Sequence, residues 1–188
     1  MLSSKSAVIK RTFPGKKIED ISNNLASLAN IIPSCNKVIL HLGTNNIQSD
    51  TTSDICDKYS ALISEIKALN ANCRVYISSL TTRSDIADGH TKIAAVNTVL
   101  KDLSTSQKCS FVNNKNIDSS CLNGSNLHLN QKGTAFLAMN FIKSIRGKKK
   151  VQMNKNQGKG KAVTSQNFHG SAVQKIIKGL AELILPNQ

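Results

Sequence analysis

The sequence predicts an α/β domain built on a parallel sheet, and two observations predict it. Short β-branched runs, Lys37–Leu42, Arg74–Leu80 and Cys109–Val112, are each followed by a segment with apolar residues at helical spacing. Val38 to Leu42 is almost continuously apolar, the signature of a strand covered on both faces. Strands that alternate with helices in this way pair in parallel through right-handed crossovers.

Each element has its own signals. Ala7 to Phe13 (Ala-Val-Ile-Lys-Arg-Thr-Phe) reads as a first short strand, broken by Pro14-Gly15. A helix follows with Ile18, Ile21, Leu25 and Leu28 on one stripe; Glu19 and Asp20 lie in its first turn, where the helix dipole favours them, and Pro33 ends the segment. After the strand Lys37–Leu42, a polar loop with Asp50, Ser53 and Asp54 leads into a helix carrying Tyr59, Leu62, Ile63, Ile66 and Leu69. Asn70 and Asn72 suit its end. Arg74–Leu80 is the next strand, Thr81 to Gly89 a polar loop, and Ile93, Val96, Leu100 and Leu103 mark another helix. Cys109–Val112 is a short strand and Asn113 to Asn126 is irregular. Asn130 can cap a last helix whose face holds Leu137, Ala138, Phe141, Ile142 and Ile145. The α/β domain is therefore expected over residues 6–146, with the strand–helix unit used four times.

A chain of 188 residues is then one domain plus extensions. Its hydrophobic content of 39% can build a core, but no run reaches the roughly 18 apolar residues of a membrane span. Met1 to Ser6 lacks the apolar centre of a signal peptide. Five cysteines (Cys35, Cys56, Cys73, Cys109, Cys121) are scattered, odd in number and never spaced C-x-x-C, which favours reduced thiols inside a cell, cytoplasmic or nuclear. Without a secretion signal, the glycosylation sequon Asn123-Gly124-Ser125 reads as accidental. Cys109, Cys121 and His128 have no recognised ligand spacing, so no metal site and no cofactor are expected.

The net charge of +14 is uneven. Residues 1–145 hold 16 basic and 10 acidic residues, residues 146–188 hold 9 and 1, so the short tail carries more than half of the excess. Residues 147–170, rich in Lys, Gly, Asn and Gln, lack the apolar residues that offset chain entropy and read as a basic disordered linker. Arg146, Lys148, Lys149, Lys150, Lys155, Lys159 and Lys161 are candidates to bind RNA or DNA; a solvated tail is the plainer alternative. Residues 171–186 form a predicted amphipathic helix, with Val173, Ile176, Ile177, Leu180 and Leu183 on one face and Pro186 at its end. Docking on the domain or self-association suits it better than a membrane surface, since only Lys175 and Lys178 line it.

Three chemical spots fall at equivalent ends of βα units, where open parallel sheets gather ligands. They are Phe13-Pro14-Gly15, Gly43-Thr44-Asn45-Asn46 and Asn126-Leu127-His128-Leu129-Asn130. Each alone is ordinary strand-end punctuation. Gly15 offers a free backbone N–H, Asn45 a side-chain NH2, and His128 stands at a loop–helix junction before Gly133. His41 lies inside a strand and reads as structural; His90 and His169 lie in polar loops.

These motifs, Phe-Pro-Gly, then Val38-Ile39-Leu40-His41-Leu42-Gly43-Thr44-Asn45-Asn46, then Leu127-His128-Leu129-Asn130-Gln131-Lys132-Gly133, resemble the SGNH (GDSL-type) hydrolase superfamily over about residues 7–145. They are most similar to the branch found in transposable-element proteins of animals. The resemblance implies a flavodoxin-like three-layer fold and ester hydrolysis by a serine nucleophile. It implies that Gly15 (backbone N–H) and Asn45 (side-chain NH2) are oxyanion-hole donors and that His128 is the general base.

Three departures qualify the implied activity. The family's opening strand, ending Gly-Asp-Ser, is not found before Phe13, so the nucleophile is unassigned and the domain is expected to be N-terminally truncated. Ser125 stands where the family places an Asp three residues before the histidine; a hydroxyl cannot stabilise an imidazolium as a carboxylate does. Asn46 replaces the Asp of Gly-x-Asn-Asp. The truncation predicts that the strands Ala7–Phe13 and Val38–Leu42 either close up or leave unpaired backbone groups. The expected function is an SGNH-like esterase domain, inactive as given, with an ester substrate class; the alternative is an accessory protein that binds nucleic acid through its basic tail.

Overall fold

Residues 8–146 are described by a computed structural model. Three strands, β1 (Lys37–Leu40), β2 (Arg74–Ser78) and β3 (Ser110–Val112), form one parallel sheet in the order β1-β2-β3. Val38 lies opposite Val75, Leu40 opposite Ile77, and Ile77 opposite Phe111. The helices are α1 (Ile18–Asn23), α2 (Thr52–Leu69), α3 (Gly89–Ser106) and α4 (Gln131–Arg146). The chain has the parallel α/β architecture that its strand–helix alternation predicts.

The side-chain period of two sorts the strands. Leu40, Val75 and Ile77 join Ile18 and Ile21 of α1, Ile55, Tyr59, Leu62, Ile63 and Ile66 of α2, and Ile93, Val96 and Leu100 of α3 in one core. The next residue on β1's path, His41, turns to the other face and meets Phe141 of α4 edge-on, with ring centroids 5.7 Å apart. A smaller core of Ile117, Cys121 and Leu137 sits under α4. Helix α2 begins with a capping box: Thr51 Oγ1 accepts from the Asp54 N–H and the Asp54 carboxylate accepts from the Thr51 N–H.

The strand expected over Ala7–Phe13 does not form in the described part. Val8 to Phe13 pairs with no strand, Val8 and Ile9 are 76% and 53% exposed, and Phe13 alone packs on the core. A lone extended segment has no ladder to make, and β-propensity cannot supply one. The helix expected from Ile18 to Leu28 also breaks into α1 and a 3-10 turn over Leu25–Leu28. Asn24 Nδ2 donates to the Asp20 carbonyl and Ser27 Oγ to the Asn24 carbonyl, so these side chains take acceptors that a continuing helix would use.

Strands β1 and β2 end short of the expected Leu42 and Leu80, for local reasons. Gly43 adopts φ +99°, a left-handed turn packed on the Tyr59 ring, and Tyr59 Oη donates to the Leu42 carbonyl at 2.7 Å. Leu80 is held by the Asn97 amide, which accepts from its N–H and donates to its carbonyl at 2.7 and 3.0 Å. The expected linker 147–170 and helix 171–186 lie outside the described residues, as do Lys148, Lys149, Lys150, Lys155, Lys159 and Lys161. Arg146 is the last residue of α4. Among the described residues no helix is long and apolar enough to cross a membrane.

Candidate active site

Phe13-Pro14-Gly15-Lys16 is a tight turn: the Lys16 N–H donates to the Phe13 carbonyl at 3.2 Å and Gly15 has φ +70°. Pro at the second position and a positive-φ Gly at the third are the requirements of a type II turn. Nothing lies within 4 Å of where a Cβ on Gly15 would be, so that side of the turn is open.

The loop after β1 meets this turn. Asn45 Nδ2 donates to the Lys16 carbonyl at 3.0 Å. That bond places the Asn45 amide beside the Gly15 turn, with its second N–H still available. Asn46 is fully buried and anchors the loop from below. Its Oδ1 accepts from the Ile18 N–H at 3.1 Å, and its Nδ2 donates to Glu19 at 2.9 Å and Asp50 at 2.6 Å. Lys58 Nζ closes the ring, 2.8 Å from Glu19 and 2.7 Å from Asp50. Lys58 holds both carboxyls below their ordinary range, helped at Asp50 by the Ser49 hydroxyl. An amide at position 46 can donate to two carboxylates, where a third carboxylate would be repelled.

His128 is solvent-exposed, on the loop closed by the Leu122–Leu129 bridge. Its carbonyl accepts from the Asn123 N–H at 2.8 Å, and Asn126 adopts φ 58° to complete the turn. Ser125 does not orient the imidazole: its hydroxyl donates to Asn123 Oδ1 at 2.6 Å. Asn130 caps α4, with Oδ1 accepting from the Gly133 N–H and Nδ2 donating to the Ser120 and Leu122 carbonyls. Gly133 is required by contact, because a Cβ there would overlap the Cys121 carbonyl oxygen.

A third loop, read from sequence only as polar, joins these two. Ser84 N–H donates to the Asn126 carbonyl at 2.8 Å. Arg83, whose side chain is 3% exposed, forks onto Asp85 through Nε at 2.8 Å and Nη2 at 2.6 Å, and donates from Nη1 to the Thr44 carbonyl at 2.8 Å. Arg83 holds the Asp85 carboxyl below its ordinary range, and the His128 imidazole pulls the same way. Gly15 and Asn45 are thus neighbours, and Thr44, Arg83, Asp85 and the His128 loop form a connected series beside them. An Arg and an Asp two apart in a loop carry no periodic signal, which is why sequence reading missed them.

A serine–histidine pair lies deeper. His41 Nδ1 is 3.0 Å from Ser78 Oγ, and Asn114 Nδ2 donates to the same Oγ at 2.8 Å. Ser78 is 0% exposed and the pair faces α4, so it belongs to the core. Burial lowers the His41 pKa to about 4, and a neutral ring suits an Nδ1 that accepts from the serine hydroxyl. Among the described residues no group of three or more His, Cys, Asp and Glu could hold a metal ion.

No protein-family model matches this sequence, and no curated protein matches it. Solved structures do match. The chain is similar to a carbohydrate esterase of family 3 from Talaromyces cellulolyticus, with 23% identity, TM-score 0.61, over 68% of this chain and 65% of that one. It is similar to an acetyl esterase mutant solved with an acetate ion, with 25% identity, TM-score 0.60, over 67% and 64%. An acetyl xylan esterase matches with 17% identity, TM-score 0.58, over 69% and 76%. The chain spans 65% and 64% of the length of the first two. The class that the fold defines is the parallel α/β domains, and these neighbours are esterases. Within it, the fold is that of the SGNH hydrolases.

Proposed function

We propose that this chain is an SGNH-type acyl-ester domain that retains the oxyanion donors and the base but has no assigned nucleophile. The observation that carries the reading is the Asn45 amide held 3.0 Å from the Lys16 carbonyl, which pairs that amide with the Gly15 turn. Two donors converging from different loops are what an acyl oxygen needs as it gains charge, and each is worth about 3–4 kcal/mol of barrier. His128, exposed on the adjoining loop, is the group free to take a proton from an attacking hydroxyl. The similarity to acetyl esterases supports a short acyl group as the moiety bound.

A site of this kind that lacks a serine nucleophile would bind an acyl group at its oxyanion donors without cleaving it. The test is p-nitrophenyl acetate hydrolysis by the full chain, beside His128→Ala. Hydrolysis at the buffer rate in both is expected. Saturable turnover that vanishes in His128→Ala would mean that a nucleophile is present and the inactivity is wrong.

A second reading concerns the tail. Residues 146–188 carry 9 basic residues and one acidic, a distribution that supports binding of RNA or DNA by charge.

A further inference from the structure

The feature that the acyl-site reading leaves unused is the buried guanidinium of Arg83. Taking an unpaired charge out of water costs several kcal/mol, so a buried arginine persists only where its donors are met. Here three nitrogens are engaged at once: Nε and Nη2 on the two oxygens of Asp85, and Nη1 on the Thr44 carbonyl. Thr44 is the residue before Asn45. Asp85 follows Ser84, whose N–H holds the Asn126 carbonyl two residues before His128. One planar group therefore stands between the loop that carries the donor and the loop that carries the base.

We propose that Arg83 is the positioning residue of the candidate acyl site, fixing the Asn45 loop and the His128 loop at one spacing through Thr44 and the Asp85–Ser84 segment. The proposal rests on the reading that Gly15, Asn45 and His128 serve a single acyl group. Arg83 touches no substrate; it acts through Thr44 on one side and through Asp85 and Ser84 on the other. The shape of the guanidinium matters more than its charge. A lysine offers a point charge that cannot fork onto a carboxylate and reach a carbonyl in the same plane. The Asp85 side chain, 22% exposed, lies at the open end of this series, where the His128 imidazole already bears on its titration.

The test uses the full 15N-labelled chain, with Arg83→Lys and Asp85→Asn, read by NMR with and without sodium acetate. A thermal melt shows which variants stay folded. In Arg83→Lys the Asn45 side-chain NH2 and the His128 ring resonances should both move, while amides of α2 and the sheet stay in place. Acetate should then bind about tenfold more weakly, because the two loops no longer hold their donors and base at one spacing. A folded Arg83→Lys with the Asn45 and His128 resonances unmoved would overturn the proposal, whatever acetate does. If Arg83→Lys does not fold, Asp85→Asn decides: the His128 ring should shift while Asn45 stays, because the Thr44 contact is kept, and an unmoved His128 overturns the proposal. Acetate that moves nothing in the parent chain would instead sink the acyl-site reading, which separates the two failures.

Discussion

Asn45 donates its side-chain amide to the carbonyl of Lys16, 3.0 Å away and one residue past Gly15. The bond joins residues 29 apart in sequence and brings the Asn45 amide to the Gly15 turn. The residue next to Asn45 explains why the bond is held: Asn46 is 0% exposed and ties the loop to Ile18, Glu19 and Asp50.

That network predicts the outcome of Asn46→Asp. The change replaces two donated hydrogen bonds by a third carboxylate against a single Lys58. The variant should lose about 1–3 kcal/mol at pH 7, measured as a lower urea midpoint. The deficit should shrink as the pH falls towards the carboxylate range, because protonation removes the repulsion. An unchanged midpoint at pH 7 would contradict the network's role.

Gly133→Ala should be destabilising although it sits in a helix, where alanine is normally preferred. The added Cβ would meet the Cys121 carbonyl oxygen, and Cys121 Cβ and Leu129 Cδ2 lie 3.0 Å from its position. Overpacking of this kind costs about 1–3 kcal/mol. The Tm should fall, and the His128 loop, which Gly133 helps to seat, should lose hydrogen-exchange protection. A Tm at or above the parent value would show that the contact relaxes freely.

His41 gives the fold a pH dependence. Its pKa is lowered from 6.5 to about 4 by burial, so the unfolded chain binds its proton more readily than the folded one. Stability from this group is fully present above pH 6.5 and declines as the pH falls through the window down to about 4, by up to about 3 kcal/mol. The carboxyls of Glu19, Asp50 and Asp85, held low chiefly by Lys58 and Arg83, weaken the fold only at lower pH. Urea midpoints from pH 7 to 4.5 should fall in the parent and stay flatter in His41→Phe, which keeps a ring against Phe141. Equal slopes would place the acid sensitivity elsewhere.

The basic tail should dominate any affinity for nucleic acid. If about five of the seven charges from Arg146 to Lys161 engage a duplex, log K should fall against log salt with a slope of about −4 to −5. A chain ending at Ile145 should bind far more weakly and with a shallower slope. Equal affinity and slope for both chains would place the binding in the α/β domain.

Much of the fold was legible in sequence because its signals are periodic. The stripe Ile55, Tyr59, Leu62, Ile63 and Ile66 gives α2, the apolar run Val38–Leu42 gives β1, and Asn130 caps α4 where the sequence places it. Ala7 to Phe13 misled because its residues suit a strand, while pairing depends on a neighbour that local composition does not report. At the candidate site, the Gly15 turn and the Asn45 loop were legible from Pro-Gly and Gly-Thr-Asn-Asn after apolar runs. Arg83 and Asp85 were not, because their importance comes from burial and from partners 39 residues away in the case of Thr44. The role of Asn46 was hidden likewise: it reads as a departure from a motif until Glu19, Asp50 and Lys58 are seen around it.

The most direct test of the account is an acetate titration of the 15N-labelled full chain, followed at the Gly15 backbone amide, the Asn45 side-chain NH2 and the His128 ring. One acyl pocket predicts that all three move together and saturate with a single dissociation constant, and that Asn45→Ala abolishes the response at Gly15 and His128. Three independent responses, or none at Gly15 and Asn45 at saturating acetate, would contradict it.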